Sequence, residues 1–332
     1  MTSGAARPPA VIEGAIGDLG PTLEGAVYCL GHGPVDLNKP IARGRILVDT
    51  GSPHCHVNAQ LVRECQAHPG VSPEGKLCPQ GAGWTESTGG ARQHIVSLGD
   101  PIQGLVSAWQ PQLDGGAPSL AFDPRRVFYP ALFTTPDPDH EVLALVGASV
   151  LADWVYIQER GRFRLERGGA SPEPTPGILR LEGEVVDGAP YLDGSLVETE
   201  THRELARGRV LVDTGASCSL AEAAALEPHL GGLRVLHTSV MYGFNSSAEE
   251  APAYNVGLAL HAGRGRIHAT PRPLVGRGRF ADAPEHLLYT RSLSREGVIA
   301  VLGRASLIAW RVVLDGPRRR FWLEVPGVPM PG

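Results

Sequence analysis

The chain of 332 residues is long enough for about two domains of ordinary size. It contains 30 Lys and Arg against 35 Asp and Glu, and the resulting net charge of −5 argues against a dedicated binder of nucleic acids or anionic membranes. Its 42 Gly and 29 Pro are too few for a disordered chain and indicate many turns, as in β-rich globular proteins.

Residues 1–20 and the cysteines predict the cellular location of the protein and the redox state of its thiols. Residues 1–20 have neither the basic segment nor the apolar run of a secretory signal. The longest apolar stretch, residues 142–152, is interrupted by Gly147 and Ser149 and is too short to span a bilayer. The 5 Cys are an odd number and favour free thiols. We therefore expect a cytoplasmic protein with no membrane or nucleic-acid partner.

The first element with a chemical signature is a short apolar strand that ends in an acidic turn. Residues 45–48 suit a buried strand and run directly into Asp49-Thr50-Gly51, which Ser52 follows. Taken alone, this tripeptide is weak evidence for a catalytic site, because Asp-x-Gly is common in turns and Asp49 also fits the role of a simple turn cap. A short helix is expected after it, over residues 59–65.

The stretch that follows is weakly patterned. Residues 81–90 carry Trp84 among glycines and polar residues, and fit either a flap that closes over a ligand or a plain β-turn. Residues 100–139 are rich in proline, and we predict an extended loop insertion there. A third region, residues 168–177, holds 3 Pro and 3 Gly, a composition that sustains neither a helix nor a central strand. We predict that this last segment is a linker.

Beyond the predicted linker the chain repeats its first signatures. Residues 207–216 match residues 43–52 at eight of ten positions, including Asp213-Thr214-Gly215 followed by Ala216. A second match at a similar offset relates the apolar segment ending at Gly147 to the one ending at Gly303. The duplication predicts two homologous lobes, an N-terminal lobe over 1–167 and a C-terminal lobe over 178–332.

The second lobe carries three further local signals. Ser219 and Glu222 form a capping-box pattern ahead of an alanine-rich helix. Residues 254–260 alternate in the manner of a strand. Just before it, Tyr242-Gly243-Phe244 is the second flap candidate, again with a plain β-turn as the alternative.

The paired motifs carry a family resemblance. Two Asp-Thr-Gly segments, each after an apolar strand and each paired with a downstream apolar-Gly segment, resemble aspartic peptidases of the pepsin and retropepsin kind. The chain looks most like a retropepsin dimer fused into one polypeptide. The resemblance implies an all-β, bilobal fold of two homologous β-barrel-like lobes with short helices. It implies Asp49 and Asp213 as the catalytic pair, supported in their loops by Thr50, Gly51, Ser52, Thr214, Gly215 and Ala216. It also implies that Gly147 and Gly303 lie in strands behind these loops.

The chemistry of such a pair follows from elementary electrostatics. Two carboxyl groups about 3 Å apart cannot both ionise, so the pair shares one proton. One group then serves as general base towards water and the other as general acid towards the peptide carbonyl. No cofactor is required. His54, Cys55 and His56 have metal-ligand side chains, but no second Cys/His pair at zinc spacing completes a site, and we expect no metal.

The sequence therefore predicts an aspartic-type endopeptidase that acts as a monomer on a peptide or protein substrate. The chain departs from the family at Ala148, which stands where Arg304 of the second lobe matches the retropepsin pattern. The alternative is a catalytically inactive peptide-binding module with an aspartic-peptidase-like cleft.

Overall fold

Most of the residues that the computed structural model of this chain describes lie in strands. The structure describes residues 10–29, 42–52, 56–58, 84–86, 92–94, 105–108, 131–133, 142–242, 248–262, 265–268, 288–293 and 295–329. None of the helices in these ranges has the length and hydrophobicity to cross a lipid bilayer.

Within the described ranges, the first half of the chain contributes strands β1 to β11 and one short helix. The strands are β1 (Ala10–Gly17), β2 (Gly20–Cys29), β3 (Ala42–Val48), β4 (His56–Asn58), β5 (Trp84–Glu86), β6 (Arg92–His94), β7 (Leu105–Ala108), β8 (Ala131–Phe133), β9 (Val142–Val146), β10 (Val155–Glu159) and β11 (Arg162–Arg167). Helix α1 (Ala148–Leu151) lies between β9 and β10.

In the part of the second half that the structure describes, there are strands β12 to β23 and two short α-helices. The strands are β12 (Ile178–Val186), β13 (Ala189–Glu198), β14 (Glu204–Val212), β15 (Leu220–Glu222), β16 (Val235–Tyr242), β17 (Ala248–Tyr254), β18 (Val256–Ala262), β19 (Gly265–His268), β20 (Tyr289–Arg291), β21 (Val298–Leu302), β22 (Arg311–Asp315) and β23 (Arg320–Pro329). The helices are α2 (Ala223–Leu226) and α3 (Arg304–Leu307), and 3-10 turns cover Glu227–Gly232 and Gly316–Arg318.

The two halves repeat one pairing pattern. In the first, β1, β2 and β3 form an antiparallel meander, and β3 runs parallel to β9 with Val48 opposite Val146. In the second, β12, β13 and β14 form the same meander, and β14 runs parallel to β21 with Val212 opposite Leu302. The predicted all-β, bilobal fold of two homologous halves with short helices is therefore confirmed.

One antiparallel strand pair joins the halves at a pseudo-twofold axis. β10 pairs with β22, and Ile157 lies opposite Val313. These positions differ by 156, the same offset that relates Gly147 to Gly303, so they are equivalent in the two halves. An antiparallel pair centred on equivalent residues is what a twofold axis requires. Across this region the strand order is β1-β11-β10-β22-β23-β12, and hydrogen bonds connect both halves in one sheet.

The strands that lead to the two Asp-Thr-Gly segments lie in the centre of the core. Ile46 and Val48 of β3 and Val210 and Val212 of β14 are each 0% exposed and belong to one hydrophobic cluster that spans both halves. Strands covered on both faces favour such continuous β-branched and aliphatic runs. Each Asp-Thr-Gly turn therefore begins at a rigid, fully packed strand end.

The predicted loop insertion over 100–139 is wrong in part, because that segment contains β7 and β8. These strands pair with β2 and β4 and fill the positions that β18 and β20 fill in the second half. Strands of four and three residues are too short to show the alternation by which a strand is detected. Their partners lie far away along the chain, so only the assembled sheet reveals them.

Two helix predictions have different outcomes. The helix after Ser219 is present as α2, but its N-cap is Glu222, whose side chain accepts the Ala224 N–H at 3.0 Å. The Ser219 hydroxyl instead shares a hydrogen bond of 3.2 Å with the hydroxyl of Ser306 in α3. The helix predicted over 59–65 lies outside the described residues. The lobe boundaries remain a prediction, with β11 ending at Arg167 and β12 beginning at Ile178.

Candidate active site

Equivalent strands deliver Asp49 and Asp213 to the same region. Asp49 follows β3, and its N–H donates to the Val146 carbonyl of β9 at 2.9 Å. Asp213 follows β14, and its N–H donates to the Leu302 carbonyl of β21 at 3.0 Å. Both residues are buried, at 8% and 4% exposure. Buried acidic side chains without a basic partner are costly, which makes them candidates for chemistry.

The backbone of each loop turns back onto its own aspartate. Asp49 Oδ1 accepts the N–H groups of Gly51 and Ser52, at 2.8 and 3.1 Å. Asp213 Oδ1 accepts the N–H groups of Gly215 and Ala216, at 2.8 and 2.9 Å. These bonds fix one oxygen of each carboxyl group, and the other oxygen, Oδ2, is left to face the opposite loop.

Gly51 and Gly215 allow the two loops to meet. A Cβ atom at Gly51 would collide with the carboxyl carbon and Oδ2 of Asp213. A Cβ atom at Gly215 would lie 2.5 Å from the carboxyl carbon of Asp49 and 2.6 Å from its Oδ2. No side chain fits at such distances, so both positions require glycine. Each aspartate thus packs against the glycine of the other lobe, and the two carboxyl groups face one another.

Thr50 and Thr214 lock the loops together beneath the carboxyl groups. The Thr50 N–H donates to Thr214 Oγ1 at 3.1 Å, and the Thr214 N–H donates to Thr50 Oγ1 at 3.2 Å. Each hydroxyl in turn donates across the axis, Thr50 to the Val212 carbonyl at 2.9 Å and Thr214 to the Val48 carbonyl at 3.0 Å. Both threonines are fully buried, so all four bonds are shielded from water.

Burial and the neighbouring carboxyl group raise the pKa of Asp49 well above its ordinary value. Burial contributes most, followed by the charge of Asp213 and a hydrogen bond between the two side chains, whereas the amides of Gly51 and Ser52 lower the pKa. Two carboxyl groups can share a hydrogen bond only when one of them is protonated. The pair therefore retains one proton at pH values at which an isolated Asp is ionised.

Helices α1 and α3 support the loops from behind. The Ala148 N–H donates to the Ser52 carbonyl and the Arg304 N–H to the Ala216 carbonyl, both at 2.8 Å. The expectation that Gly147 and Gly303 lie within strands is wrong, because they are the N-caps of α1 and α3, one residue beyond β9 and β21. Both glycines keep extended backbone dihedrals, and each helix begins at the next residue.

Two buried polar side chains below the site were not singled out from the sequence. The Tyr156 hydroxyl donates to Gln158 Oε1 at 2.8 Å, and Gln158 Nε2 donates to the Leu307 carbonyl at 3.0 Å. Burial raises the pKa of Tyr156, and a hydrogen bond with Thr214 opposes this shift. The repeat itself holds the signal, because the equivalent residues of the second half, Val312 and Leu314, are apolar.

Arg295 is a further residue at the site that the sequence did not indicate. Its Nη2 donates to the Gly51 carbonyl at 2.8 Å and its Nη1 to the Tyr191 hydroxyl at 2.7 Å. Arg295 and Gly51 are 244 residues apart, and no motif surrounds Arg295. No local pattern could have revealed this contact.

Both flap candidates fall on hairpins that are only partly described. Trp84 begins β5 and lies opposite His94 of β6, whereas Tyr242 ends β16 and lies opposite Ala248 of β17. Gly243 and Phe244 lie outside the described residues. The flap role of either hairpin remains a prediction.

The part of the chain that the structure describes contains no cluster of three or more His, Cys, Asp or Glu that could hold a metal ion. Of the three metal-ligand types at 54–56, only His56 is described, as the first residue of β4.

Two solved structures align with nearly the whole chain. The aspartic proteinase from Irpex lacteus is 14% identical, with 96% of this chain and 98% of that chain covered and a TM-score of 0.46. Basic 7S globulin from soybean is 12% identical, with 96% and 95% covered and a TM-score of 0.47. No protein-family model and no curated protein sequence matches the chain.

Proposed function

We propose that this chain is a pepsin- or retropepsin-like aspartic endopeptidase that hydrolyses peptide bonds with a water molecule activated between Asp49 and Asp213. The observation that carries the proposal is the meeting of two buried carboxyl groups across the pseudo-twofold axis, with a raised pKa at Asp49. Turn caps alone would not require the two groups to meet, and bringing buried like charges together costs stability.

The proposed first step uses the shared proton and the ionised partner. In the proposed step Asp49 carries the shared proton, because burial and the Asp213 carboxyl group raise its pKa. The Asp213 carboxylate accepts a proton from water as the water oxygen attacks the peptide carbonyl carbon. The Asp49 proton moves to the carbonyl oxygen, and the product is a tetrahedral diol.

The proposed second step breaks the C–N bond and restores the pair. Asp213, now protonated, donates its proton to the peptide nitrogen, and one hydroxyl of the diol returns a proton to Asp49 as the amine leaves. The four hydrogen bonds between Thr50 and Thr214 and their partners keep the two carboxyl groups in register during both proton transfers.

Further features support a peptide substrate and a monomeric enzyme. Both halves of the site come from one chain, so no second copy is needed. Met241, near the end of β16, and Ala216 of the Asp213 loop pack against the same hydrophobic cluster, so this part of the β16–β17 hairpin lies near the site. This hairpin is our candidate for a flap that covers the substrate and excludes water.

The test is hydrolysis of a diverse peptide library by Asp49→Asn, Asp213→Asn and the double variant. Each single change should lower kcat/KM by at least about a thousandfold, and the double variant should be no worse, because the pair acts as a unit. Asp193→Asn, an exposed aspartate in β13, is the matched control and should retain wild-type activity.

Pepstatin, a transition-state analogue for this chemistry, should inhibit the wild-type protein. Independent, additive losses in the two single variants would contradict the shared pair. A protein that binds library peptides but releases no products would instead be the inactive peptide-binding module.

A further inference from the structure

Arg295 carries the side chain that connects the second half of the chain to the Asp49 loop. It lies just before β21, in the second half, and its Nη2 donates to the carbonyl of Gly51 in the first half at 2.8 Å. Gly51 is the residue whose Cα faces the carboxyl group of Asp213. The guanidinium group is therefore one residue away from the paired carboxyl groups, on the rim of the site.

The second anchor of Arg295 is Tyr191 of β13. Its hydroxyl accepts from Arg295 Nη1 at 2.7 Å. Tyr191 is 6% exposed and packs in the cluster that holds Ala216 of the Asp213 loop and Met241 of the candidate flap hairpin. Arg295 thus joins the Asp49 loop to β13 of the second half.

The positive charge at this place is not neutralised by the described residues. A second cation, Arg209, lies over the Tyr191 ring at 5.2 Å and donates to the Glu296 carbonyl at 3.0 Å. Across the described ranges, neither arginine has a carboxylate within ion-pair distance.

Donor groups remain available on the Arg295 side chain. A guanidinium group has five N–H donors in a planar fork, and the two contacts to Gly51 and Tyr191 use two of them. Arg295 is half-buried, and water or a substrate group can reach the remaining donors. The group that suits a guanidinium fork best is a carboxylate.

We propose that Arg295 is a specificity-determining residue that binds an acidic side chain of the substrate close to the scissile bond. This inference rests on the proposed peptidase function. The anchors at Gly51 and Tyr191 hold the fork in place before the substrate arrives, which lowers the entropic cost of forming the ion pair. The favoured substrates are peptides with Glu or Asp within three residues of the bond that is cut.

The test compares peptides that differ only by Glu or Gln at each position from three before to three after the cleaved bond. Wild-type kcat/KM should favour Glu over Gln by about tenfold at one position, the effect of a charge-assisted hydrogen bond. Arg295→Met should reduce that ratio to about one, and Arg295→Lys should keep part of it. Arg234→Met removes the same charge from an exposed ion pair with Glu200 and should leave the ratio unchanged.

The Glu-to-Gln ratio of kcat/KM distinguishes a loss of substrate recognition from a structural change in the Asp49 loop. Loss of the Gly51 contact can slow hydrolysis of both peptides, but a purely structural effect divides out of the Glu-to-Gln ratio. A ratio near one at all positions in the wild-type protein, or an unchanged ratio in Arg295→Met, would overturn the inference while leaving the peptidase function intact.

Binding of the same peptides with a reduced, uncleavable amide bond gives an independent readout. Tighter binding of the Glu peptide to wild type, lost in Arg295→Met, supports the role of Arg295 even if no peptide is hydrolysed. Equal Kd values for the Glu and Gln peptides in wild type would count against Arg295 whether or not hydrolysis occurs.

Discussion

Asp49 and Asp213 have nearly identical backbone contacts but different surroundings. Both accept two loop amides at Oδ1, and both face the glycine of the other lobe. Among the described residues, however, an arginine side chain holds only the loop of Asp49, where Arg295 donates to the Gly51 carbonyl. This asymmetry within a duplicated site gives each aspartate its own environment, which a shared-proton mechanism needs in order to assign acid and base.

The raised pKa of Asp49 predicts a stability that falls with pH. An unfolded Asp loses its proton near pH 3.8, whereas folded Asp49 holds it to higher pH. Above pH 3.8 the folded state therefore binds more protons than the unfolded state, so stability decreases as pH rises towards the folded-state pKa. Asp49→Asn keeps the shape and the Oδ1 acceptor but cannot ionise, and should have a higher Tm than wild type at pH 7.

The comparison of melting curves at two pH values checks this prediction. The Tm gain should be about 2 °C for each kcal/mol recovered, and it should vanish near pH 3.5, where wild-type Asp49 is also neutral. Asp193→Asn, on the exposed face of β13, should show no such pH-dependent gap. An equal Tm difference at both pH values would contradict a raised pKa at Asp49.

The short helix α3 positions the loop that follows Asp213. α3 consists of four residues, yet its first N–H holds the Ala216 carbonyl, and its N-cap Gly303 lies directly against the loop that follows Asp213. The Gly303 N–H also donates to Ser219 Oγ at 3.1 Å. Hydrogen bonds and close contact therefore hold α3, Gly303 and the loop together as one unit.

A single methyl group at Gly303 should disturb that unit. In Gly303→Ala the new Cβ would overlap the Cys218 carbonyl and lie 3.0 Å from the Ala216 carbonyl, both parts of the backbone that cannot rotate away. We expect the free energy of unfolding to fall by about 1–3 kcal/mol, as for other overpacked sites, together with a loss of kcat/KM. Chemical denaturation and peptide hydrolysis measure the two effects.

Gly231→Ala is the matched control, because a Cβ there meets no atom within 4 Å. It should change stability by less than about 0.5 kcal/mol and leave hydrolysis unchanged. If Gly303→Ala behaved in the same way, the close support of the Asp213 loop by α3 would be refuted.

The two halves form one molecule because their cores and sheets are continuous. β10 pairs with β22 across the pseudo-twofold axis, and a single cluster of buried residues includes Val48 and Tyr156 of the first half and Val212 and Leu302 of the second. Each half also supplies one threonine to the buried hydroxyl network. Separating the halves would expose this interface and leave the polar atoms of both loops without partners.

The whole-molecule prediction is that neither half hydrolyses peptides as a monomer. Residues 1–167 and 178–332, expressed separately, each contain one carboxyl group of the pair and so lack a complete site. Mixing or co-expressing them should restore activity as far as they reassociate, which size-exclusion chromatography and a peptide assay can follow together. A monomeric half with peptidase activity would rule out a site shared between the lobes.

The sequence by itself determined the duplication, the all-β class and the places where strand gives way to turn. These features are local, because a run such as residues 45–48 and the turn residues Asp49-Thr50-Gly51 carry their conformational preferences in themselves. The repeat adds one long-range prediction, that the two Asp-Thr-Gly turns are equivalent. It could not show strands as short as β7 and β8, which exist only through their partners.

Only the tertiary structure decided which atoms meet. The contact of Arg295 with Gly51 joins residues 244 positions apart, and the Tyr156–Gln158 pair sits beneath Thr214 only because β10 crosses the axis. Hydrogen bonds of this kind depend on the final packing of the two halves rather than on propensities of neighbouring residues. The raised pKa of Asp49 belongs with them, since burial and a second carboxyl group arise only when both loops are assembled.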